Sequence, residues 1–253
     1  MKWYKKDQHF LIDEQVLGRI IEYGGLNRSD TVLEIGAGYG NLTEKLAQKA
    51  GKVIAIEVDP ELIVNQLENV ELIIGDALKQ DFPYFNKVIS NLPYSISSPV
   101  TFKLLEYEFD MGILMYQLEF AERMVAAPGS KDYGRLSIAV QYRANVEILE
   151  VVPRLAFSTP PKVDSAIVRL VPRLPPYEVK DVDFFMRFIT AAFSQRRKKL
   201  RNAILNNAAY LGIKDKTLEK LPHDIIDRRA ETISPEDLAE LSDLLLDETF
   251  KYH

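Results

Sequence analysis

Between Thr31 and about Gln117, short apolar runs rich in β-branched residues alternate with segments of helical period. TVLEI (31–35), KVIAIE (52–57), VELII (70–74), KVIS (87–90) and GILMYQ (112–117) have the length and composition of strands. Between them, Leu42, Leu46 and Ala47 fall on one helical face, and Phe102 and Leu105 on another. Strands alternating with helices predict a parallel sheet covered by helices on both faces. Residues 136–171 break the pattern: LSIAVQYRANVEILEVV and VDSAIVRLV read as two strands joined across a proline-containing loop. The expected fold class is α/β, a doubly wound, Rossmann-like sheet finished by an antiparallel hairpin.

PRLPPYEVKD (172–181) then interrupts all regular structure with three prolines. Beyond it the period is helical: Phe185, Phe188, Ile189, Ala192 and Phe193 share a face. Ser234-Pro235-Glu236-Asp237 carries the signature of a helix start, with a hydroxyl cap, proline at the first helical position and an acid three residues after the cap. The chain therefore divides into a sheet domain, 1–175, and a small all-helical domain, 176–253.

Composition narrows the chemistry. With 47% hydrophobic and 27% charged residues, 253 residues can bury a substantial core. There is no cysteine, which excludes disulfides, zinc–thiolate centres and thiol nucleophiles. His9, His223 and His253 stand too far apart for a local metal motif, so no metal site is expected. No apolar run is long enough to span a membrane, and the basic N-terminal segment lacks the apolar core of a secretory leader; a cytoplasmic protein is expected. No heptad or spare apolar stripe is visible, which favours a monomer. A net charge of −5 argues against indiscriminate coating of nucleic acid, yet leaves room for local basic patches. Lys2, Lys5 and Lys6 accompany Trp3 and Tyr4, while Arg196, Arg197, Lys198, Lys199 and Arg201 crowd one stretch. On a helix, Arg197, Lys198 and Arg201 would lie within about 100° of arc. Such a stripe can track phosphates, or it can be a solvated helix face.

The candidate chemistry sits at strand ends. After TVLEI comes Gly36-Ala37-Gly38-Tyr39-Gly40, a turn in which the backbone can approach a ligand before the next helix begins. Its Gly-x-Gly-x-Gly spacing after the acidic Glu34 differs from the Gly-x-Gly-x-x-Gly of dinucleotide binders and points to S-adenosyl-L-methionine. Glu57 ends the second strand, where an acid can accept from both ribose hydroxyls; Asp59 is a rival that reads better as a cap. Asp76, in GDAL with Ala77, is placed to accept from the amine of an adenine. At the fourth strand end stands Asn91-Leu92-Pro93-Tyr94. The Asn91 amide oxygen and the next backbone carbonyl can both accept from an exocyclic NH₂, proline stiffens the turn, and Tyr94 offers a face for a planar base. The exocyclic nitrogen of an adenine or a cytosine is a weak nucleophile, its lone pair delocalised into the ring. Two acceptors help localise that lone pair, and no strong general base is needed because attack can precede proton loss.

Over nearly its whole length the chain resembles the small-subunit ribosomal RNA adenine dimethyltransferase family. The segments that carry the resemblance are KKDQHFLID (5–13), VLEIGAGYGNLT (32–43), VIAIEVD (53–59), GDAL (75–78), NLPYSISS (91–98), FSTPPKVDSAIVRL (157–170), AFSQRRKKLRNAI (192–204) and RAETISPEDL (229–238). The resemblance implies that His9 and Leu11 border the methionine end of S-adenosyl-L-methionine, Gly36 its carboxypropyl side, Glu57 the ribose and Asp76 the adenine. Asn91 would then sit beside the methyl group, with Phe157 facing Tyr94 across a flipped adenine; the other reading of Phe157 is core packing. It further implies two adjacent adenosines near the 3′ end of small-subunit RNA as target, within an immature subunit, and a helical domain that binds RNA. Asp7 and Ser95 depart from the family pattern, which usually has glycine and often asparagine there. The related large-subunit methylases of macrolide resistance share the catalytic motifs, and a non-catalytic assembly factor on the same fold is a further alternative.

Overall fold

The structure, a computed structural model, describes residues 9–62 and 67–250, apart from the side chains of residues 215, 216, 249 and 250. Lys2 to Lys6, Asp7 and His253 lie outside the described residues. The chain forms two compact units: Met1–Ala121 with Ala144–Arg173, and Glu122–Arg143 with Leu174–His253.

The first unit holds α1 (Glu14–Gly24), β1 (Thr31–Ile35), α2 (Asn41–Lys49), β2 (Lys52–Glu57), β3 (Val70–Ile74), β4 (Lys87–Asn91), α3 (Ser97–Leu104) and β5 (Met111–Gln117). α4 (Leu118–Val125) begins in it, and α5 (Arg135–Gln141) intervenes before the unit is completed by β6 (Ala144–Val152) and β7 (Ser165–Pro172). One seven-stranded sheet runs in the order β3-β2-β1-β4-β5-β7-β6. The first five strands are parallel, and β7 inserts antiparallel between β5 and β6. β1 and β2 are near-continuous apolar runs because helices cover both of their faces, leaving only the first residue of each with appreciable exposure. The connection leaves β1 toward β2 on one side and returns at β4 on the other. This is the switch point of the strand order, where open α/β sheets place their ligands.

α1 starts where the Asp13 carboxylate accepts the N–H groups of Gln15 and Val16, at 2.9 and 3.1 Å. It buries Val16, Leu17 and Ile20 in a core shared with Leu42, Leu46 and Ala47 of α2 and Ile89, Ile113, Met115 and Ile167 of the sheet. The expected face of α3 is shifted: Val100, Thr101 and Leu104 are buried, whereas Phe102 and Leu105 are only partly covered. Buried Thr101 donates to the Ser97 carbonyl and bonds the Tyr116 hydroxyl at 2.8 Å, so the inner face of α3 is partly polar.

The second unit gathers α5, α6 (Val182–Ala192), α7 (Leu200–Leu205), α8 (Ala208–Leu211), α9 (His223–Ile226) and α10 (Pro235–Phe250). Phe184, Phe185, Phe188 and Ile189 of α6 form its core with Leu238, Leu241 and Leu245 of α10 and with Tyr133, Ile138 and Tyr142. The Ser234 hydroxyl accepts the Asp237 N–H at 3.1 Å, the cap read from the sequence. Two expectations are corrected. LSIAVQ is not the first half of a strand: Arg135–Gln141 is helical, and the strand begins at Ala144. Its residues Leu136 to Val140 are all buried, and a short element buried all round has no polar phase to reveal its period. Consequently Glu122–Arg143 groups with the helices, rather than with the sheet on the near side of a single cut at 175.

Candidate active site

β1 and β4 pair only at Val32 with Lys87 and Leu33 with Val88; beyond that they diverge, and a cleft of about 990 Å³, open mouth included, lies between their ends. Its floor is the glycine turn. Gly36 and Gly38 have φ of +82° and +57°, which side chains rarely adopt. Space is tight as well: a Cβ on Gly36 would stand 3.0 Å from Pro93 Cδ, and one on Gly38 3.0 Å from the Phe10 ring.

Glu57 is buried beside the cleft. Its Oε2 accepts the Gly38 N–H and its Oε1 the Asp59 N–H, both at 2.9 Å. Each oxygen keeps a lone pair for a ligand hydroxyl. Asp59 itself accepts the Glu61 N–H at 3.1 Å, the capping role expected of it. Asp76 accepts the Leu78 N–H at 3.0 Å, and Ala77 lines the cleft beside it. Ile56, Val58 and Leu62 give this end an apolar wall.

At the other end, the Asn91 amide nitrogen donates to the His9 carbonyl at 3.0 Å. That bond turns the amide so that Oδ1 remains as an acceptor. The His9 ring is held by a 2.7 Å bond between Nδ1 and the Thr159 carbonyl and stacks on the Tyr94 ring at 5.4 Å, the planes inclined by 29°. Tyr94 is fixed through its hydroxyl, 2.5 Å from Ser165 Oγ. Leu11, Leu92 and Pro93 complete this part of the lining.

Two sequence expectations take a different shape. Phe157 is buried in the core among Val16, Leu17 and Ile167, paired with Leu11 in an isolated antiparallel bridge, and does not line the cleft; the ring against Tyr94 is that of His9. The basic cluster is not a helical stripe, because α6 ends at Ala192 and α7 begins at Leu200. Asn206 and Asn207 side chains bond Gln195 and Ser194, holding the intervening turn out of the helix. Within it Arg196 donates to the carbonyls of Lys131 and Tyr133, while Lys199 and Arg201 share Asp227 at 3.4 and 3.7 Å. Arg197 and Lys198 are exposed and form no ion pair among the described residues.

Comparison with known proteins resolves which chemistry this geometry serves. The family model "Ribosomal RNA adenine dimethylase" matches residues 3–243. The chain belongs to that family. A protein of Methanosarcina acetivorans named "Probable ribosomal RNA small subunit methyltransferase A" is 56% identical over 95% of this chain and 93% of its own. A namesake in Thermococcus gammatolerans is 47% identical, over 95% and 88%. Among solved structures, a dimethyladenosine transferase from Plasmodium falciparum is 34% identical with a TM-score of 0.77, covering 96% of this chain and 98% of its own. The 23S rRNA methyltransferase ErmE is 27% identical with a TM-score of 0.66, covering 93% and 99%. This dimethylase is therefore an S-adenosyl-L-methionine-dependent enzyme of ribosomal RNA adenine, on a Rossmann-like sheet with a helical C-terminal region.

The cleft of the dimethylase fits that cofactor. Two carboxylates able to accept from hydroxyls and an amine stand at successive strand ends, a glycine turn clears space on the floor, and the wall between them is apolar. Among the described residues, no His, Asp or Glu cluster could hold a metal, and no helix is long and apolar enough to cross a membrane.

Sequence reasoning left three lining or supporting residues without a role. Glu34 is 1% exposed, and burial together with the nearby Glu57 charge pushes its carboxyl up to about 8, although Thr43 Oγ1 donates to it at 2.6 Å. Its place two residues before Gly36 was the available signal. Asn41 Nδ2 ties the Leu11 carbonyl at 2.9 Å, fastening the N-terminal segment across the cleft. Ser90, next to Asn91, bonds both backbone groups of Ile35.

Proposed function

We propose that this chain dimethylates N6 of two adjacent adenosines near the 3′ end of small-subunit ribosomal RNA, within an immature small subunit, as a cytoplasmic monomer. The observation that carries the reading is the orientation of Asn91. Its NH₂ is committed to the His9 carbonyl, which leaves its oxygen as the acceptor for a base amine. Bound S-adenosyl-L-methionine supplies an electrophilic methyl group on a sulfonium. Glu57 holds the ribose hydroxyls, Asp76 the adenine amine, and Gly36, Gly38, His9, Leu11 and Ala77 shape the remaining contacts.

The Asn91 oxygen and the Leu92 carbonyl accept the two hydrogens of the target N6, and the nitrogen lone pair turns out of the ring plane toward the methyl group. Pro93 keeps the turn rigid, and Tyr94 stacks on the extruded base. After transfer the nitrogen is positively charged and loses its proton to water, because nothing in the site requires a stronger base. For the second transfer one hydrogen has been replaced by methyl, and a single acceptor suffices. Phe157 backs the N-terminal segment of the site, pairing with Leu11 from within the core. Of the five basic residues, Arg197 and Lys198 are the phosphate contacts this reading favours, since Arg196, Lys199 and Arg201 are engaged within the unit.

The test is incubation with labelled S-adenosyl-L-methionine and, in parallel, immature small subunits and large-subunit RNA lacking the modification, followed by nucleoside mass spectrometry. Dimethyladenosine at two adjacent positions is the expected result. Label confined to large-subunit RNA would move the assignment to the ErmE type of target, and cofactor binding without label in either RNA would leave a binding factor.

A further inference from the structure

Ile35 is the last residue of β1. The strand pairs with β2 through this end, where the Gly36 N–H donates to the Ile56 carbonyl at 2.7 Å. On the β4 side the ladder has already stopped at Leu33 and Val88. The Ile35 N–H and C=O therefore face the gap that widens into the cleft, with no strand partner across it.

One side chain fills that position. Ser90 Oγ donates to the Ile35 carbonyl at 2.5 Å and accepts the Ile35 N–H at 3.2 Å. Ser90 is 2% exposed. A hydroxyl offers one donor and two acceptor sites, and here both functions are spent on a single residue of the neighbouring strand. A side chain without that hydroxyl would leave two buried backbone groups unpaired.

The placement of the two residues gives the contact its meaning. Ile35 directly precedes Gly36, the start of the cofactor turn, and Ser90 directly precedes Asn91, the start of the amine-accepting turn. The two turns also touch, since a Cβ on Gly36 would meet Pro93 Cδ and Cγ at 3.0 and 3.1 Å. We infer that Ser90 is a positioning residue: its hydroxyl replaces the missing ladder rung and sets the spacing between the turn that holds the methyl donor and the turn that orients the amine. The inference rests on the proposed role of Asn91. It requires that loosening the rung disturb the chemical step more than the binding of either ligand, because reactivity falls steeply with sub-ångström misplacement of the reacting atoms.

The experiment compares Ser90→Ala and Ser90→Cys with the wild-type enzyme and with Asn91→Ala. Cysteine nearly preserves the volume but is a poor hydrogen-bond partner, which separates bonding from packing. The readouts are kcat and KM for RNA, cofactor affinity by calorimetry and the urea midpoint. Both Ser90 variants should lose between about tenfold and a hundredfold in kcat, with KM for RNA and cofactor Kd unchanged within about a factor of three. Wild-type kcat in Ser90→Cys would overturn the inference, as would losses confined to KM or to cofactor Kd. If Ser90→Ala does not fold, Ser90→Cys alone decides. Full activity of Asn91→Ala would instead remove the underlying reading, whatever the Ser90 variants do.

Discussion

Strands β1 and β4 are joined very differently at their two ends. At the foot, Asp30, Asn86 and Lys87 form a dense polar knot. Asp30 accepts the Asn27 N–H at 2.8 Å, Asn86 Nδ2 at 2.9 Å and Lys87 Nζ at 3.1 Å. Lys87 also donates to the Gly24 and Gly25 carbonyls that end α1, and Asn86 Oδ1 accepts the Thr31 N–H at 2.8 Å. Burial alone would push the Asp30 carboxyl up, but its hydrogen bonds to Asn86, Asn27 and Lys87 outweigh burial and hold it below its ordinary range. At the mouth, a hydroxyl and a glycine turn stand in for the ladder. The same two strands are thus clamped where stability is set and parted where ligands enter. Fixing the foot allows the mouth to stay open without the strands slipping.

The contrast can be tested from its strongest side downward. Asp30→Ala should cost about 3–5 kcal/mol in urea unfolding, because Lys87 is left buried without its partner. A loss below about 1 kcal/mol, the range of an exposed ion pair, would show that the foot is no clamp; cofactor affinity of the folded variant should be unaltered.

At the mouth the order of effects reverses. Asn91→Ala should lower kcat by about 10²–10³ while leaving urea stability and cofactor binding close to wild type. Glu57→Ala should act the other way. It removes charge-assisted hydrogen bonds worth about 1.5–3 kcal/mol, so calorimetry should show the cofactor bound far more weakly. Equal affinity for wild type and Glu57→Ala would withdraw the ribose assignment.

The last test is one of pH and concerns Glu34. Its carboxyl moves from 4.5 to about 8 on folding, so the folded chain keeps a proton that the unfolded chain releases. The stability this group contributes is full below pH 4.5 and is lost as pH rises through about 8. Glu34→Gln stays neutral throughout. Its stability relative to wild type should therefore improve steadily from pH 5 to pH 8, and a flat difference would mean that Glu34 is ionised when folded.

The central sheet was legible because its strands are short apolar runs closed by turn residues. β1, β2 and β3 begin and end where the pattern placed them, and β4 and β5 each differ by one residue. Glycines and acids at strand ends were legible for the same reason, since a strand fixes where its last residue points. What failed was of another kind. Leu136–Val140 is buried on every side, so this apolar run carried no phase. The basic turn at 196–199 is shaped by bonds from Asn206 and Asn207, and by the Asp227 pairs, that local propensity cannot anticipate. Glu34 read as one more acid before a glycine; its significance depends on burial and on the nearness of Glu57 in space.

The antiparallel insertion of β7 between β5 and β6 also has a consequence in time. β5, MGILMYQ, is an uncharged, largely apolar strand, and its outer edge pairs with residues 165–170 of β7. On a translating ribosome, the chain between Gln117 and Ser165 takes roughly 2–10 s to make at 5–20 residues per second. Throughout that interval the nascent sheet carries a bare hydrophobic margin able to pair with any other extended chain. Synthesis halted between these points leaves a fragment whose natural fate is aggregation, so the hairpin that finishes the sheet also ends its most vulnerable moment.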